Sequence, residues 1–394
     1  MRVLTITSLY PSAAQPTHAV FVENRLRRIV EFSGCSARVI APVPWFPLSN
    51  KQFGTYGKFA ATPRHEWRHG IEVSHPRYVV VPKMMTLQPE AFYRSIAAEV
   101  ARLRAGGYDF DLIDAHYVYP DGVAAARLGA LLGKPVIVSA RGSDLHQIAH
   151  MPGPRKQIRD AFQDMSHMIT VSSALAEEAK ALGFPTAITT VLRNGVDTDL
   201  FKPSPCEDWR AKAGPHSTLV ASVGLLIPRK GHDLAIQAIA TIPDAYLLIV
   251  GTGPDRQKLE DLAASLGVAD RVEFTGAVPH EELPRVYSAA DMLLLATYRE
   301  GWPNVVLEAM ACGAPVVATN IGAIPEIIVR DELGVVVPER TAGAIAAGIC
   351  NIVANPRDRA HVRAHAVTHG WGEVVAAQTA LYEHVAGLGF RRAA

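Results

Sequence analysis

The chain predicts an α/β protein with two doubly wound domains, and three observations lead to this prediction. Its 394 residues exceed the usual size of a single hydrophobic core, so two domains are expected. Short β-rich runs alternate with helical patterns along nearly the whole length, which is typical of open parallel sheets. A polar, proline-containing stretch at residues 198–216 separates two sets of these runs.

Eleven runs predict buried parallel strands. They are 2–7, 37–41, 111–115, 135–140, 167–172 and 187–192, then 218–224, 245–251, 271–276, 291–297 and 314–319. We therefore expect one domain over 1–197 and a second over 198–370, followed by an amphipathic helix at 371–390. Residues 43–70 mix aromatic and basic side chains without clean periodicity, which predicts a long loop.

Charge and cysteine content exclude several classes of protein. The net charge of +1 argues against a nucleic-acid binder, although residues 1–104 carry 14 Lys and Arg against 6 Asp and Glu. This basic N-terminal segment predicts either an ordinary solvated surface or contact with an anionic acceptor or membrane. The four cysteines have no metal-ligand spacing, and neither a secretory signal nor a membrane span is expected. We expect a cytoplasmic protein, and peripheral contact with the cytosolic face of the inner membrane is compatible with that expectation.

The most informative segment is EGWPNVVLEAMACGAPVVAT, which begins at Glu300. Pro303 suits the first turn of a helix, and the N-terminus of that helix would present N–H groups and a positive dipole end to an anion. Glu300 would precede this anion site, and Glu308 would lie about one turn inside the helix. Two carboxylates beside an anion site favour a phosphate ligand that also carries hydroxyl groups, as a sugar nucleotide does.

Two cations follow the first strand of the second domain. Arg229 and Lys230 come a few residues after TLVASVG, and ligands of doubly wound sheets bind at the carboxyl ends of strands. They could neutralise a diphosphate, and a basic helix start on the surface is the alternative. The segment VGTGPDR has Arg256 where a third glycine of a dinucleotide fingerprint belongs, so nicotinamide chemistry is not expected.

In the first domain, His116 follows the run DLIDA, and ARGSD places Arg141 and Asp144 just after the next strand. We expect both loops at the ligand-binding edge of the sheet. His116 is then either functional or a hydrogen-bonded structural histidine, and Asp144 could equally cap the following helix.

These residues together resemble family-four retaining glycosyltransferases of the GT-B fold, over nearly the whole chain. The strongest parts are EGWPNVVLEAMACGAPVVAT, the RKG segment, NGVDTDLF and ITSLYPSAAQPTHAVFVE. The resemblance implies two Rossmann-like domains facing a cleft, with the first binding the acceptor and the second holding most of the donor. It also implies that the C-terminal helix at 371–390 crosses back onto the first domain. Within this family, the chain resembles bacterial enzymes of cell-surface polysaccharide synthesis.

The resemblance also implies a role for each matching position. Glu300 corresponds to the carboxylate that contacts donor-sugar hydroxyls, and Glu308 to the one that holds the ribose. Lys230 corresponds to the phosphate-binding lysine. The remaining donor-binding positions are the base pocket at Val278, the diphosphate seat at Asn304, Val305 and Val306, and Gly301.

The chain departs from the family pattern at three places. Leu225 stands where an arginine commonly binds phosphate, so Arg229 is a candidate for compensation. Arg141 stands where many members carry a histidine, so His116 or Arg141 is the candidate near the anomeric carbon. His18-Ala19 replaces a more glycine-rich pair near the N-terminus.

The sequence therefore predicts a retaining hexosyltransferase. Its donor would be a UDP- or GDP-sugar, its acceptor a glycan or a lipid-linked hydroxyl, and it would need no cofactor or metal. Two alternatives stay open at this level. One is an epimerase or a sugar-phosphate synthase on the same scaffold, and the other is a non-catalytic, membrane-peripheral subunit of a polysaccharide assembly complex.

Overall fold

The structure is a computed structural model that describes residues 1–388. The chain divides into two compact units. Unit 1 contains Met1–Asn194 and residues 372–388, and unit 2 contains Gly195–Trp371. The sequence placed the junction at residue 198. The expected C-terminal helix is found as Trp371–Leu388, and the last two positions of the expected range 371–390 lie outside the described residues.

Unit 1 is built on an eight-stranded sheet and a small two-stranded one. The strands are β1 (Arg2–Thr7), β2 (Ser36–Ile40), β3 (Val43–Pro44), β4 (His65–Arg68), β5 (Ile71–Ser74), β6 (Arg77–Tyr78), β7 (Leu112–His116), β8 (Val136–Ala140), β9 (His167–Thr170) and β10 (Thr189–Val191). The large sheet has the order β10-β9-β8-β7-β1-β2-β5-β4, and only the β4–β5 pairing is antiparallel. Strands β3 and β6 pair in parallel.

The helices of unit 1 lie between these strands, as a parallel sheet requires. They are α1 (Val20–Ser33), α2 (Gly54–Ala61), α3 (Gln88–Ala105), α4 (Val123–Leu132), α5 (Ser143–His146), α6 (Pro152–Ala161) and α7 (Ser173–Ala181), joined by the C-terminal helix α16 (Trp371–Leu388). Strands β7 and β8 are buried along their full length, because helices cover both faces of the sheet.

Unit 2 is a six-stranded, wholly parallel sheet in the order β13-β12-β11-β14-β15-β16. The strands are β11 (Thr218–Val223), β12 (Ala245–Val250), β13 (Val272–Gly276), β14 (Met292–Leu295), β15 (Val316–Thr319) and β16 (Gly334–Val337). The helices are α8 (Glu207–Ala211), α9 (His232–Ala240), α10 (Arg256–Ser265), α11 (Leu283–Ala289), α12 (Asn304–Ala311), α13 (Ile324–Ile327), α14 (Ala342–Ala354) and α15 (Arg359–Val367).

All eleven predicted strands are present, and the predicted loop over 43–70 is wrong. That segment contains α2 and the edge strand β4. Strand β4, with the sequence HEWR, lies at the sheet edge and has half-exposed or exposed side chains, so it lacks the apolar run of a buried strand. Within the described residues, no helix is long and apolar enough to cross a membrane.

Candidate functional site

The strand order of unit 2 creates a switch point between β11 and β14. From β11 the chain continues to β12 and β13 on one side, whereas β14, β15 and β16 lie on the other. The loops that leave the carboxyl ends of β11 and β14 therefore part in opposite directions and leave a crevice for a ligand. The loop after β11 carries Lys230, and the loop after β14 carries Glu300.

Lys230 and Glu300 form a short, shielded ion pair at this point. Lys230 Nζ lies 2.6 Å from Glu300 Oε1, and the side chains are only 14% and 9% exposed. Removing one partner of a pair so shielded from water costs more than breaking a surface salt bridge, because the partner left alone is a poorly solvated charge. The pair thus places one cation and one carboxylate at the switch point.

Arg229 flanks this pair. Its Nη1 lies 3.6 Å from Glu300 Oε2 and donates to the backbone oxygen of Arg299 at 3.0 Å. The Arg229 carbonyl in turn accepts from the Thr297 hydroxyl at 3.0 Å. Leu225 projects into solvent with 57% of its surface exposed, and it supplies no charge. Arg229 is therefore a second cation within reach of a ligand beside Lys230.

A glycine that the sequence analysis missed fixes the backbone of Glu300. Gly322, in the loop after β15, has φ +50°, and a Cβ built on it would lie 2.4 Å from the Glu300 carbonyl oxygen. No side chain fits there unless the Glu300 segment moves. Its distance in sequence, 22 residues from Glu300, explains why no local pattern signalled it.

We expect Gly322→Ala to move Glu300 and to lower both stability and turnover. The clash adds to the cost of a left-handed alanine, so the free energy of unfolding should fall by about 2–3 kcal/mol. Gly214→Ala is the matched control, since Gly214 has φ +56° but a Cβ built on it would meet no atom within 4 Å. It should cost about 1 kcal/mol and spare activity. If Gly322→Ala and Gly214→Ala lost the same stability in urea unfolding and the same turnover, Gly322 would have no positioning role.

The helix that follows Glu300 begins one residue later than expected. Pro303 is the residue before the first turn of α12 rather than part of it, and α12 starts at Asn304. Gly301 is buried, and Asn304 and Val305 are half-buried at the first turn. The Val306 N–H donates to the Pro303 oxygen at 3.0 Å, so it is already engaged. The positive end of a helix of this kind can attract an anion.

Glu308 has two partners on neighbouring elements. The Tyr287 hydroxyl of α11 donates to Glu308 Oε2 at 3.2 Å, and His280 Nε2 lies 3.7 Å from Oε1. The contact with the Glu308 carboxylate raises the pKa of His280, with help from the charges of Glu281 and Asp197. Burial, followed by the charge of Glu308, raises the pKa of Tyr287 well above its usual range. Glu308 is thus an oriented carboxylate that can accept hydrogen bonds from ligand hydroxyl groups.

His280 and Tyr287 are residues that the sequence analysis missed. Both precede α12, and the packing of α11 against α12 brings Tyr287 to Glu308. The His280 ring also contacts Phe201 edge-on, with centroids 5.0 Å apart. Val278, the expected base-pocket position, is half-buried and lies two residues before His280, just after β13.

In unit 1, the structure brings the other predicted pair together. His116 ends β7, is 1% exposed, and has Nε2 3.0 Å from Asp114 Oδ2. Its Nδ1 faces the guanidinium of Arg141 in a hydrogen bond. These contacts fit a neutral ring that donates to Asp114 and accepts from Arg141. Burial lowers the pKa of His116, and the positive charge of Arg141 opposes the stabilising effect of Asp114.

Several hydrogen bonds therefore fix the position of Arg141. It bonds His116, its Nη1 donates to Asn194 Oδ1 at 3.3 Å, and its backbone N–H donates to the Asp144 carboxylate at 3.1 Å. Arg141 Nε has no partner among residues 1–388. Asp144 also accepts from the backbone of Gly142 and Val118, so it fixes this turn. His116 positions Arg141, and Arg141 is the half-exposed member of the pair.

The C-terminal helix closes the same buried network. The Tyr382 hydroxyl donates to Asp114 Oδ2 at 2.6 Å and accepts from Gln378 Nε2 at 2.6 Å. Arg25 of α1 donates to Gln378 and to Asn194. Burial alone would raise the pKa of Asp114, but His116 and the hydrogen bond from Tyr382 hold it below its usual value. The network ties α16 to the strand that carries His116.

We expect Tyr382→Phe to destabilise unit 1 because it removes a donor from a buried carboxylate. The free energy of unfolding should fall by about 1–3 kcal/mol. Tyr246→Phe is the matched control, since its hydroxyl bonds the half-exposed Glu273 at 3.2 Å. That change should cost less than about 0.5 kcal/mol. Chemical denaturation that shows similar losses for both variants would refute the structural role of the buried network.

No group of three or more His, Cys, Asp or Glu side chains that could hold a metal ion is found in the part of the chain that the structure describes. The site itself offers cations, carboxylates and helix N–H groups. Lys230, Arg229 and the α12 N-terminus can hold an anion, and Glu300 and Glu308 can accept hydrogen bonds from hydroxyl groups.

Comparisons with known proteins agree on one group. The family model described as "Glycosyl transferases group 1" matches residues 207–368, and the one described as "Glycosyltransferase Family 4" matches residues 57–200. The chain is 31% identical over 359 residues to a Bacillus subtilis protein named for teichuronic acid biosynthesis, the glycosyltransferase TuaC. The match covers 89% of this chain and 88% of that relative.

A second relative is the GDP-mannose-dependent alpha-(1-6)-phosphatidylinositol monomannoside mannosyltransferase of Mycolicibacterium smegmatis. It is 34% identical over 253 residues, which cover 60% of this chain and 64% of that protein. Among solved structures, sucrose-phosphate synthase from Thermosynechococcus elongatus has a TM-score of 0.78 at 20% identity and covers 98% of this chain and 100% of that one. The structure of Anabaena HepE in complex with UDP has a TM-score of 0.76 at 19% sequence identity, and it covers 98% of this chain and 100% of that one. These structural likenesses concern the fold.

Proposed function

The chain belongs to glycosyltransferase family 4 and has the GT-B type of fold with two Rossmann-like domains, and we propose that it is a retaining hexosyltransferase. Its donor is a nucleoside diphosphate sugar bound in unit 2. Its acceptor is a hydroxyl group of a glycan or a lipid-linked saccharide in cell-surface polysaccharide synthesis. The observation that carries the proposal is the shielded Lys230–Glu300 pair beside the N-terminus of α12.

Donor binding would exchange the partners of this pair. The diphosphate offers Lys230 and Arg229 a doubly charged anion, and the first turn of α12 adds N–H groups. Glu300, released from Lys230, then accepts hydrogen bonds from the hydroxyls of the donor sugar. Glu308, held by Tyr287, accepts from the ribose hydroxyls. Each charged residue at the switch point thereby has one role in holding the donor.

The reaction breaks the bond between the anomeric carbon and the diphosphate oxygen and forms a bond from that carbon to the acceptor oxygen. Negative charge builds on the departing diphosphate, where Lys230, Arg229 and the helix N-terminus stabilise it. We propose a front-side route, without a metal or cofactor, in which the leaving phosphate oxygen takes the acceptor proton. Arg141, fixed by His116, is the unit 1 residue that we propose for a direct role in the reaction.

The relatives guide the choice of donors for the test. The mycobacterial relative is named for GDP-mannose, so GDP-mannose leads a panel of GDP- and UDP-sugars. The chain is incubated with each donor, with and without saccharide acceptors, and the products are analysed by NMR. We expect acceptor-dependent release of nucleoside diphosphate and an α-linked product from an α-linked donor. A β-linked product contradicts retention, and a donor converted to its epimer without acceptor contradicts transfer.

A further inference from the structure

One surface of unit 1 carries none of the site residues described above and has its own character. Strands β3 and β6 pair in parallel, and the Trp45 N–H donates to the Tyr78 oxygen at 2.8 Å, which extends the pairing. Because parallel strands point the same way, the segments that follow them, residues 45–59 and 79–87, leave this small sheet side by side. The first ends within α2.

These two segments expose large apolar side chains to solvent. We call the set the apolar edge; it consists of Trp45, Leu48, Tyr56, Val79, Val81 and Met84, which are 37% to 59% exposed. Aromatic contacts brace it from within, since the Phe46 ring lies 5.3 Å from Tyr56 and 5.4 Å from Phe53. Exposed apolar residues that cluster in this way mark an interaction surface rather than ordinary scattered exposure.

The charge of the same segments has one sign. Residues 45–59 and 79–87 contain three lysines and no Asp, Glu or Arg. Lys58 and Lys83 are exposed beside the apolar edge. A basic surface mixed with aromatic and aliphatic side chains is suited to an anionic lipid interface, where rings settle among the headgroups and lysines meet lipid phosphates.

We propose that the apolar edge, with Lys58 and Lys83, docks unit 1 onto an anionic lipid bilayer. A second copy of the chain is a poorer occupant, because two such basic surfaces would repel each other. A free glycan is also poorer, because Leu48, Val79, Val81 and Met84 offer it no hydrogen bonds. The inference rests on the proposed function in one respect, since a lipid-linked acceptor would be presented at such a surface.

The test is flotation of the full chain with vesicles, in the absence of donor and acceptor. Its outcome is therefore distinct from success or failure of the transfer assay. We expect binding to vesicles of phosphatidylcholine mixed with phosphatidylglycerol, at least tenfold weaker binding to phosphatidylcholine alone, and loss of binding at high salt. Equal binding to both compositions, or binding to neither, would overturn the proposal.

Apolar variants test the surface itself. Leu48→Ser, Val79→Ser and Met84→Ser combined should reduce vesicle binding at least tenfold, because each removes exposed apolar area from the interface. The matched control combines serine replacements at apolar residues that are exposed to a similar degree elsewhere, at Leu131, Leu266 and Val353. It should bind like the wild type. Similar loss in both variants would contradict docking through the apolar edge.

Charge variants complete the test. Lys58→Glu with Lys83→Glu should again reduce binding at least tenfold, whereas the control Lys156→Glu with Lys180→Glu, on exposed helix surfaces of the same unit, should change it less than threefold. Circular dichroism and sugar-nucleotide binding, which depends on unit 2, confirm that each variant is folded. A charge-reversed variant that is folded and binds vesicles normally would overturn the proposal.

Discussion

Replacement of Lys230 by methionine should abolish most transferase activity, with kcat/KM falling about 10²- to 10³-fold, because the leaving diphosphate loses its best-shielded cation. The same change leaves the Glu300 carboxylate, 9% exposed, with only Arg229 at 3.6 Å. The free energy of unfolding should therefore also fall, by about 1–3 kcal/mol. Steady-state kinetics and urea unfolding measure the two effects separately.

Lys212→Met is the matched control for this variant. Lys212 Nζ also lies 2.6 Å from a carboxylate, that of Glu273, but the two side chains are 35% and 30% exposed. An exposed pair of this kind contributes about 0–1 kcal/mol, so both stability and activity should stay close to the wild type. If Lys230→Met and Lys212→Met behave alike, Lys230 has no special role at the switch point.

The second large effect is that replacement of Glu308 and replacement of Glu300 should change different kinetic parameters. Glu308→Gln should raise KM for the donor about 10- to 100-fold, because a charged acceptor of the ribose hydroxyls is lost. Glu300→Gln should instead lower kcat about 10²-fold, while KM changes less than about threefold, because its contacts to the transferred sugar count most in the transition state. Initial rates over a range of donor concentrations separate the two parameters.

Glu282→Gln serves as the control for both glutamate variants. Glu282 lies just before α11 and pairs with Arg285 of that helix on the exposed surface. Its replacement should leave kcat and KM within about twofold of the wild type. Should Glu300→Gln and Glu308→Gln change the same parameter by the same factor, the separate assignments to sugar and ribose would have to be abandoned.

The sequence predicted the architecture well because parallel strands covered on both faces carry long apolar runs. Strand β7, for example, is buried throughout and follows directly from the run DLIDA. Strand β4 was not predicted because it is a polar edge strand, and β16 was not predicted because its four-residue run gave no clear signal. Local pattern thus identifies strands with a clear apolar run, including the edge strands β10 and β13, and misses short or polar ones such as β4, β5 and β16.

The candidate site was predictable only in part, for a physical reason. Glu300, Glu308 and Lys230 could be singled out because each lies next to a strand end or a helix start in the sequence. That Lys230 pairs with Glu300 could not be predicted, because the pairing depends on β11 lying next to β14 in the sheet. Gly322 acts on Glu300 through backbone contact alone, which leaves no trace in local sequence.

The burial of His116 was equally beyond the sequence. Its position at the end of β7 left open a functional role or that of a hydrogen-bonded structural histidine, and in the structure both ring nitrogens are engaged, one by Asp114 and the other by Arg141. The residue that completes this arrangement, Tyr382, lies on α16, 268 positions from Asp114 along the chain. A contact over such a separation arises from the fold and is not encoded in any short motif.

Calorimetric titration of the wild-type chain with GDP-mannose and a panel of other GDP- and UDP-sugars asks directly whether unit 2 holds the donor. We expect at least one of them to bind with one site per chain, and we expect Lys230→Met to weaken this binding at least tenfold while Lys212→Met does not. If no sugar nucleotide binds, or if binding is the same with and without Lys230, unit 2 does not hold the donor at the switch point between β11 and β14.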